Sequence, residues 1–322
     1  MRLFCLSVFI LLSTPCISQP NPYSKVDSLM REYSTKIKSA DDLYKVVDYI
    51  RNTFSEDSLR FRAAFIWITD NIAYDVKAYQ KEDPAAAQLN YAVKNRKAIC
   101  SGYTSLVKFF CSAFNIECET VIGYGRASKN KIVMNQEYLR NNHAWNSVKI
   151  NGTWRLADAT WAAGGVDDRD EENLVFHKEF KEIYYDTPPE KLILNHFPQN
   201  KQFQLTNKLM DQKRFMKSPL CFSDFLAHSI SATLPDTALI KTKVGDTLVF
   251  KLQTALPINQ LYAYSDILVK ARHEAATIYK DGWIEFRYPV QLTGFYNLYI
   301  GYTLNNRERF TLLGYKLEVR QR

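Results

Sequence analysis

At 322 residues, 46% of them hydrophobic, the chain is long enough for two cores, which excludes a disordered or low-complexity protein. Lys and Arg number 42 against 34 Asp and Glu, a net charge of +8. The basic residues (Lys129, Lys131, Arg140, Lys213, Arg214, Lys217) are scattered rather than massed on one helix, which argues against nucleic acid and leaves an anionic substrate or cell surface open.

Taken in chain order, the first residues read as a secretory signal. Arg2 supplies the positive end, residues 3–12 a short apolar run and residues 13–18 a small-residue exit, with cleavage expected near Ser18. A lipid anchor at Cys16 is the alternative, but Pro15 departs from the small residue usual before such a cysteine. The apolar run is too short for a bilayer and no later one approaches about 18 residues, so no membrane span is expected. The protein is therefore expected to be secreted, periplasmic or at the cell surface.

Residues 24–96 read as helical. Asp41 or Asp42 caps a helix with Leu43, Val46, Val47 and Ile50 on one face. A second runs through Leu59, Ala63, Phe65, Ile66 and Ile68 to Asn71, and a third from Pro84 toward Val93. Residues 101–114 form a buried helix and 118–123 a strand. Residues 143–150 and 153–159 flank Asn151-Gly152, the strongest local signal for a β-hairpin. Residues 186–218, broken by Pro188, Pro189 and Pro198, read as a connector. Beyond it, strands are expected at 247–252, 266–270, 276–280, 283–288, 296–302 and 310–319, a pattern for a small antiparallel sandwich.

The hairpin permits a geometric test. A two-residue loop sets Ile150 opposite Thr153 and carries the register to Trp145 opposite Asp158 and His143 opposite Thr160. His143 and Asp158 then share a face as diagonal neighbours, about 7 to 8 Å apart at the backbone, within reach of a carboxylate–imidazole bond. A slip of one residue separates them onto opposite faces. Cys100 opens a helix, where free N–H groups and the helix dipole favour a thiolate and where its own N–H is a natural oxyanion donor. Each residue alone has a structural reading: Cys100 as inert core, His143 beside Trp145 as structural, Asp158 as a turn former. Together, Cys100, His143 and Asp158 make a nucleophile, an acid–base and its orienter.

Three segments carry a resemblance: Ala98-Ile-Cys100-Ser-Gly-Tyr103, Asn142-His143-Ala-Trp145-Asn, and Trp154-Arg-Leu-Ala-Asp158-Ala-Thr160-Trp161. They resemble the transglutaminase-like superfamily, and within it bacterial proteins related to the kyphoscoliosis peptidase. Residues 67–75 and His196-Phe-Pro198 share that likeness, which covers roughly 55–230. The resemblance implies Cys100 as nucleophile, His143 as acid–base and Asp158 as orienter. Ala98, where relatives often carry Gly, is a departure outside the triad. The expected fold is α+β: after a signal peptide at 1–18, a papain/transglutaminase-like catalytic domain at 19–218, then a small antiparallel β-sandwich at 219–322.

Other residues carry less. His177, His196, His228 and His273 lack metal-ligand spacing and read as structural or exposed. The acidic run Asp167, Asp168, Asp170, Glu171, Glu172 lacks the spacing and central Gly of a calcium loop and reads as solvated. Asn151-Gly152-Thr153 matches a glycosylation sequon, but its turn role already explains it. No metal or other cofactor is expected. Of the cysteines past the signal (Cys100, Cys111, Cys118, Cys221), a free Cys100 leaves at most one disulfide.

The expected function is an exported thiol enzyme acting on peptide or carboxamide bonds of a protein or peptide substrate, a cysteine peptidase first. A cross-linking transamidase of the same fold is the alternative. A non-catalytic binding or scaffold protein, working through tyrosines such as Tyr262, Tyr264 and Tyr279, is the reading from another class.

Overall fold

The computed structural model describes residues 21–33, 39–126, 132, 140–167, 173–228, 230–254, 258, 260–267, 272–275, 277–280, 282–304 and 308–322. The signal segment, Lys129, Lys131 and the acidic residues 168–172 lie outside the described residues.

The helical opening comprises α1 (Ser24–Glu32), α2 (Ala40–Thr53) and α3 (Asp57–Asn71). Leu43, Val46, Val47 and Ile50 of α2 are buried, as their spacing requires, and α3 is buried along most of its length. Strand β1 (Ala73–Tyr74), α4 (Val76–Gln80), α5 (Leu89–Asn95) and β2 (Lys97–Ala98) follow, with β1 and β2 pairing in parallel. The third expected helix is interrupted. Residues Pro84–Ala87 form a 3₁₀ turn, and Gln88 is extended before α5 begins. The cause is a competing bond: the Ile99 N–H takes the Ala86 carbonyl.

Helix α6 (Cys100–Ala113) then runs under the sheet formed by β3 (Cys118–Gly125), β4 (His143–Ile150) and β5 (Thr153–Ala157). The chain continues through α7 (Ala159–Ala163), a hairpin of β6 (Gly164–Asp167) and β7 (Val175–Lys178), α8 (Pro189–Leu192), β8 (His196–Pro198) and α9 (Gln212–Lys217). The stretch read as a connector is therefore not structureless. Its β8 closes the sheet, whose strand order is β5-β4-β3-β8. Proline does not forbid this, because β8 is an edge strand and Pro198 ends it.

From residue 219 the chain is mostly strand: β9 (Leu220–Cys221), then α10 (Ser223–Ala227), then β10 (Ile230–Leu234), β11 (Leu239–Lys243), β12 (Thr247–Thr254), β13 (Gln260–Ser265), β14 (Arg272–Ala275), β15 (Ile278–Lys280), β16 (Trp283–Pro289), β17 (Gly294–Leu304) and β18 (Glu308–Arg320). One sheet has the order β10-β12-β16-β15 and the other β11-β18-β17-β13-β14, with β9 added to β18. Pairing is antiparallel except β11 with β18, which is parallel. Of the strand expected at 266–270, residues 268–270 lie outside the described residues; β13 precedes it and ends before Asp266, which accepts from the Asn297 N–H at 3.0 Å. Phe250 of one sheet meets Tyr315 of the other with ring centres 5.0 Å apart. One apolar cluster runs from Val26 and Phe65 through Cys221 and Phe225 to Phe250 and Leu317. No helix among the described residues is long and apolar enough to cross a membrane.

Candidate active site

The hairpin arithmetic holds along the ladder. Ile150 pairs with Thr153 and Asn146 with Ala157, on the expected register. Asn151 and Gly152 take φ of 52° and 77°, the left-handed pair that a tight hairpin of this hand needs. The extrapolation beyond Ala157 does not hold, because the ladder stops there. Asp158 instead caps α7, its Oδ1 accepting from the N–H groups of Thr160 at 2.9 Å and Trp161 at 3.1 Å. This leaves Oδ2 facing β4, where it lies 2.8 Å from His143 Nε2. The turn-forming role and the orienting role thus belong to the same carboxylate, one oxygen each.

Cys100 is the first residue of α6, and Ile99 before it is extended and offers no side-chain cap. The helix start is seated by Gly102: a Cβ there would lie 2.7 Å from the Ala86 carbonyl oxygen and 2.8 Å from the Ala98 side chain. Tyr103, fully buried, ties the same turn to the end of α3 by donating to the Ile72 carbonyl at 2.8 Å. The Cys100 sulfur faces His143 and the Ala144 backbone N–H, both of which favour its anion. Cys100, His143 and Asp158 are thus brought together. Cys111, Cys118 and Cys221 lie elsewhere, and all four described cysteines are free thiols.

The electrostatics follow from burial and pairing. Burial opposes a thiolate at Cys100, but the hydrogen bond and charge of His143 and the Ala144 N–H outweigh it, so its pKa falls below the ordinary thiol value. Burial likewise opposes charge on His143, yet the Asp158 carboxylate and the contact with Cys100 raise its pKa to about 9. Burial would raise Asp158, but two imidazole partners hold it well below the usual carboxylate range. By contrast Cys221 is pushed up to about 12 by burial. Among the thiols with a resolved shift, Cys100 alone is moved toward the anion.

One residue read as structural or exposed belongs to this group. His196, on β8, places Nε2 3.0 Å from the same Asp158 Oδ2, and its Nδ1 lies 2.6 Å from the Asn195 side-chain amide. Burial lowers its pKa to about 4, so it is neutral at pH 7. The Asn195 oxygen is the atom that faces Nδ1, and its amide NH₂ donates to the Tyr184 hydroxyl and the Cys221 carbonyl, both at 3.4 Å. Trp161 covers His196 with ring centres 4.2 Å apart and His143 at 5.0 Å. Signal for His196 lay in the His196-Phe-Pro198 likeness, but no spacing rule links it to Asp158 across 38 residues.

His143, Asp158 and His196 offer three donor atoms within 4.8 Å of one another, a grouping that would suit a metal ion. Those atoms are already joined by direct hydrogen bonds at 2.8 and 3.0 Å, which an ion would have to displace. Asp167 is the described end of the acidic run and lies in β6, and His177 lies opposite Gly165 in β7.

Residues 44–159 match the family described as the Transglutaminase-like superfamily. This chain carries a transglutaminase-like domain. It is 30% identical over 229 residues to the mouse (Mus musculus) kyphoscoliosis peptidase, covering 70% of this chain and 33% of that protein. The human (Homo sapiens) kyphoscoliosis peptidase is 28% identical over 252 residues, 78% of this chain and 37% of that one. The chain spans about a third of the length of these relatives. A solved structure described as a TGase covers 46% of this chain and 35% of its own at 16% identity, with a TM-score of 0.29. The transglutaminase-like match ends at residue 159, just past Asp158, so it includes Cys100, His143 and Asp158 and omits His196.

Proposed function

We propose that the protein is an exported cysteine peptidase with Cys100 as nucleophile, His143 as acid–base and Asp158 as orienter. The observation that carries this reading is the row of Cys100, His143 and Asp158, with His143 bonded to Asp158 at 2.8 Å, in which the thiol is lowered and the imidazole raised despite burial. These opposite shifts favour a thiolate–imidazolium pair at neutral pH. The peptidase names of the mouse and human relatives support hydrolysis over amine transfer, and residues 1–18 support export.

In the proposed mechanism the Cys100 sulfur attacks the substrate carbonyl carbon, and the C–S bond forms as the carbonyl oxygen becomes an oxyanion. The amide N–H groups at the start of α6 are placed to stabilise it. His143 gives its proton to the leaving nitrogen, the C–N bond breaks, and a thioester remains. His143, now neutral, takes a proton from water, whose oxygen attacks the thioester carbon. The C–S bond breaks, the acid product leaves, and the thiolate–imidazolium pair returns. Asp158 keeps its charge throughout, holding the imidazole and stabilising its cation.

The test is incubation of purified protein with a denatured protein substrate, measuring new α-amino groups. Hydrolysis by the parent and none by Cys100→Ser is the expected result. Incorporation of a labelled primary amine without new amino groups would make the protein a transamidase, and neither activity would leave the scaffold reading.

A further inference from the structure

A cavity of about 550 Å³ opens beside His143. Its apolar walls are Tyr74, Tyr79, Trp161, Phe176 and Phe222, with the Gly164–Gly165 backbone between them. Tyr79 is 50% exposed and Val166 36%, so the apolar lining continues out to a rim facing solvent. Two lining residues, His143 and Tyr74, also stand in electrostatic reach of Cys100. The cavity therefore meets the catalytic group at His143, and Cys100 itself is not on the lining.

Its polar inventory is selective. Thr160 is 5% exposed, and its hydroxyl has no hydrogen-bond partner among the described residues although it sits on the lining. A buried hydroxyl left without a partner is costly, so it marks a place where a ligand group completes the bond. Besides His143, the ionic groups on the lining are two cations, Lys181 and Arg126; the described lining holds no carboxylate. The Arg126 guanidinium donates to the carbonyls of Phe215, Ile132 and Ser218 and is part of the wall. Lys181 is the more accessible cation: its ammonium is 3.4 Å from the Ser223 hydroxyl and 3.7 Å from the exposed Glu179 carboxylate, with about a quarter of its side chain in solvent.

We propose that this cavity is the specificity subsite of the thiol enzyme, and that it takes a bulky aromatic or aliphatic side chain of a peptide substrate with a carboxylate next to it. This rests on the reading of Cys100 as the nucleophile. The side chain fills the space between Tyr74, Trp161, Phe176 and Phe222. The Thr160 hydroxyl bonds the substrate backbone, and Lys181 meets the neighbouring carboxylate, which is an acidic side chain or a free C-terminus. A glycine-rich or basic segment leaves the hydroxyl unpaired and meets a cation.

The test uses chloromethyl ketones, which the Cys100 thiolate alkylates as a C–S bond forms and chloride leaves. Probes built on Gly-Gly, Phe-Gly, Phe-Asp and Phe-Lys are compared on the full chain, each rate divided by that of iodoacetamide on the same protein. The Phe-Gly probe is expected to exceed Gly-Gly at least tenfold, and Phe-Asp to exceed Phe-Lys severalfold. Thr160→Val, which keeps the shape and removes the hydroxyl, lowers the ratio for every Phe probe. Tyr79→Ala, at the exposed rim where folding is safe, lowers the Phe advantage, and Lys181→Gln removes the Asp-over-Lys preference. Equal ratios for Gly-Gly and Phe-Gly, with brisk iodoacetamide labelling of Cys100, overturn the subsite and leave the nucleophile standing. Slow iodoacetamide labelling of Cys100 itself overturns the nucleophile and the subsite with it.

Discussion

Asp158 Oδ2 accepts from two imidazoles, and the two are in different charge states: His143 is raised to about 9 while His196 is lowered to about 4. His196 faces Asp158, His143, Asn195 and Tyr184, and the aromatic rings of Trp145 and Trp161 shut out water. A buried base with a lowered pKa has a definite effect on stability. Between pH 4 and 6.5 the unfolded chain binds a proton at this position that the folded protein refuses, so stability rises with pH across that window. Acidification from pH 7 to 4 should therefore cost on the order of 3 kcal/mol through His196. Urea unfolding of the parent and His196→Gln at both pH values checks this. Gln can still donate to Asp158, so the variant should fold and lose most of that acid sensitivity; an unchanged pH dependence would contradict the account. The approach of His143 to Asp158 was legible only in part: Asn151-Gly152 fixes the register as far as Asn146 opposite Ala157, and Asp158 lies past the ladder, turned toward β4 by its cap on α7. His196 was not legible, because its contact with Asp158 exists only once β8 closes the sheet.

At the scale of elements, the start of α6 is set by what presses on it. Gly102 leaves room for the Ala86 carbonyl and the Ala98 side chain, both closer to an added methyl than side-chain contacts in proteins allow. Gly102→Ala should displace the first turn of α6 and disturb the seating of Cys100 against His143. The expected outcome is a stability loss of about 1–3 kcal/mol, as for other overpacked sites, with slowed alkylation of Cys100 at pH 6 in protein that still folds. Equal alkylation rates would show that the helix start tolerates the shift. The same crowding explains why the helix expected after Pro84 is interrupted. That alanine-rich stretch has helical composition, but Ile99 claims the Ala86 carbonyl and Gln88 breaks the run. Long amphipathic helices such as α2 were legible because burial alone dictates their spacing. Two-residue strands such as β1 and β2 have no periodicity to read, and β8 was hidden by Pro198.

For the whole molecule, two buried arginines tie distant segments together. Arg62 of α3 is fully buried and makes paired 2.7 Å bonds to Asp27 of α1 and Glu182. Asp27 is buried and Glu182 half-exposed, so most of the loss on Arg62→Met comes from the stranded Asp27 carboxylate. A destabilisation of about 3 kcal/mol is expected in urea unfolding, with Asp27→Asn restoring part of it in the double variant. Additive losses would mean the two residues do not act as a pair. Arg126, just after β3, donates to the Phe215 and Ser218 carbonyls at the far end of the stretch read as a connector, beside the proposed boundary at 218/219. The sandwich-like pattern beyond 219 was legible from its β-rich runs. The short strands β10 and β11 were not, since their residues alternate weakly and β11 pairs in parallel with β18.

The central claim is that Cys100 is an activated thiolate held by His143. It is tested most directly by the rate of Cys100 alkylation by iodoacetamide between pH 5 and 10, in the parent and in His143→Ala. The lowered thiol and raised imidazole predict that the parent reacts rapidly at pH 6, where an ordinary thiol near about 8.5 is almost wholly protonated. His143→Ala should lose that acid reactivity and titrate as a plain thiol, and Asp158→Asn should fall between the two. Peptide hydrolysis should in turn decline above about pH 9 as His143 loses the proton it gives the leaving group. A parent protein whose Cys100 reacts slowly at every pH, with His143→Ala indistinguishable from it, would contradict the account.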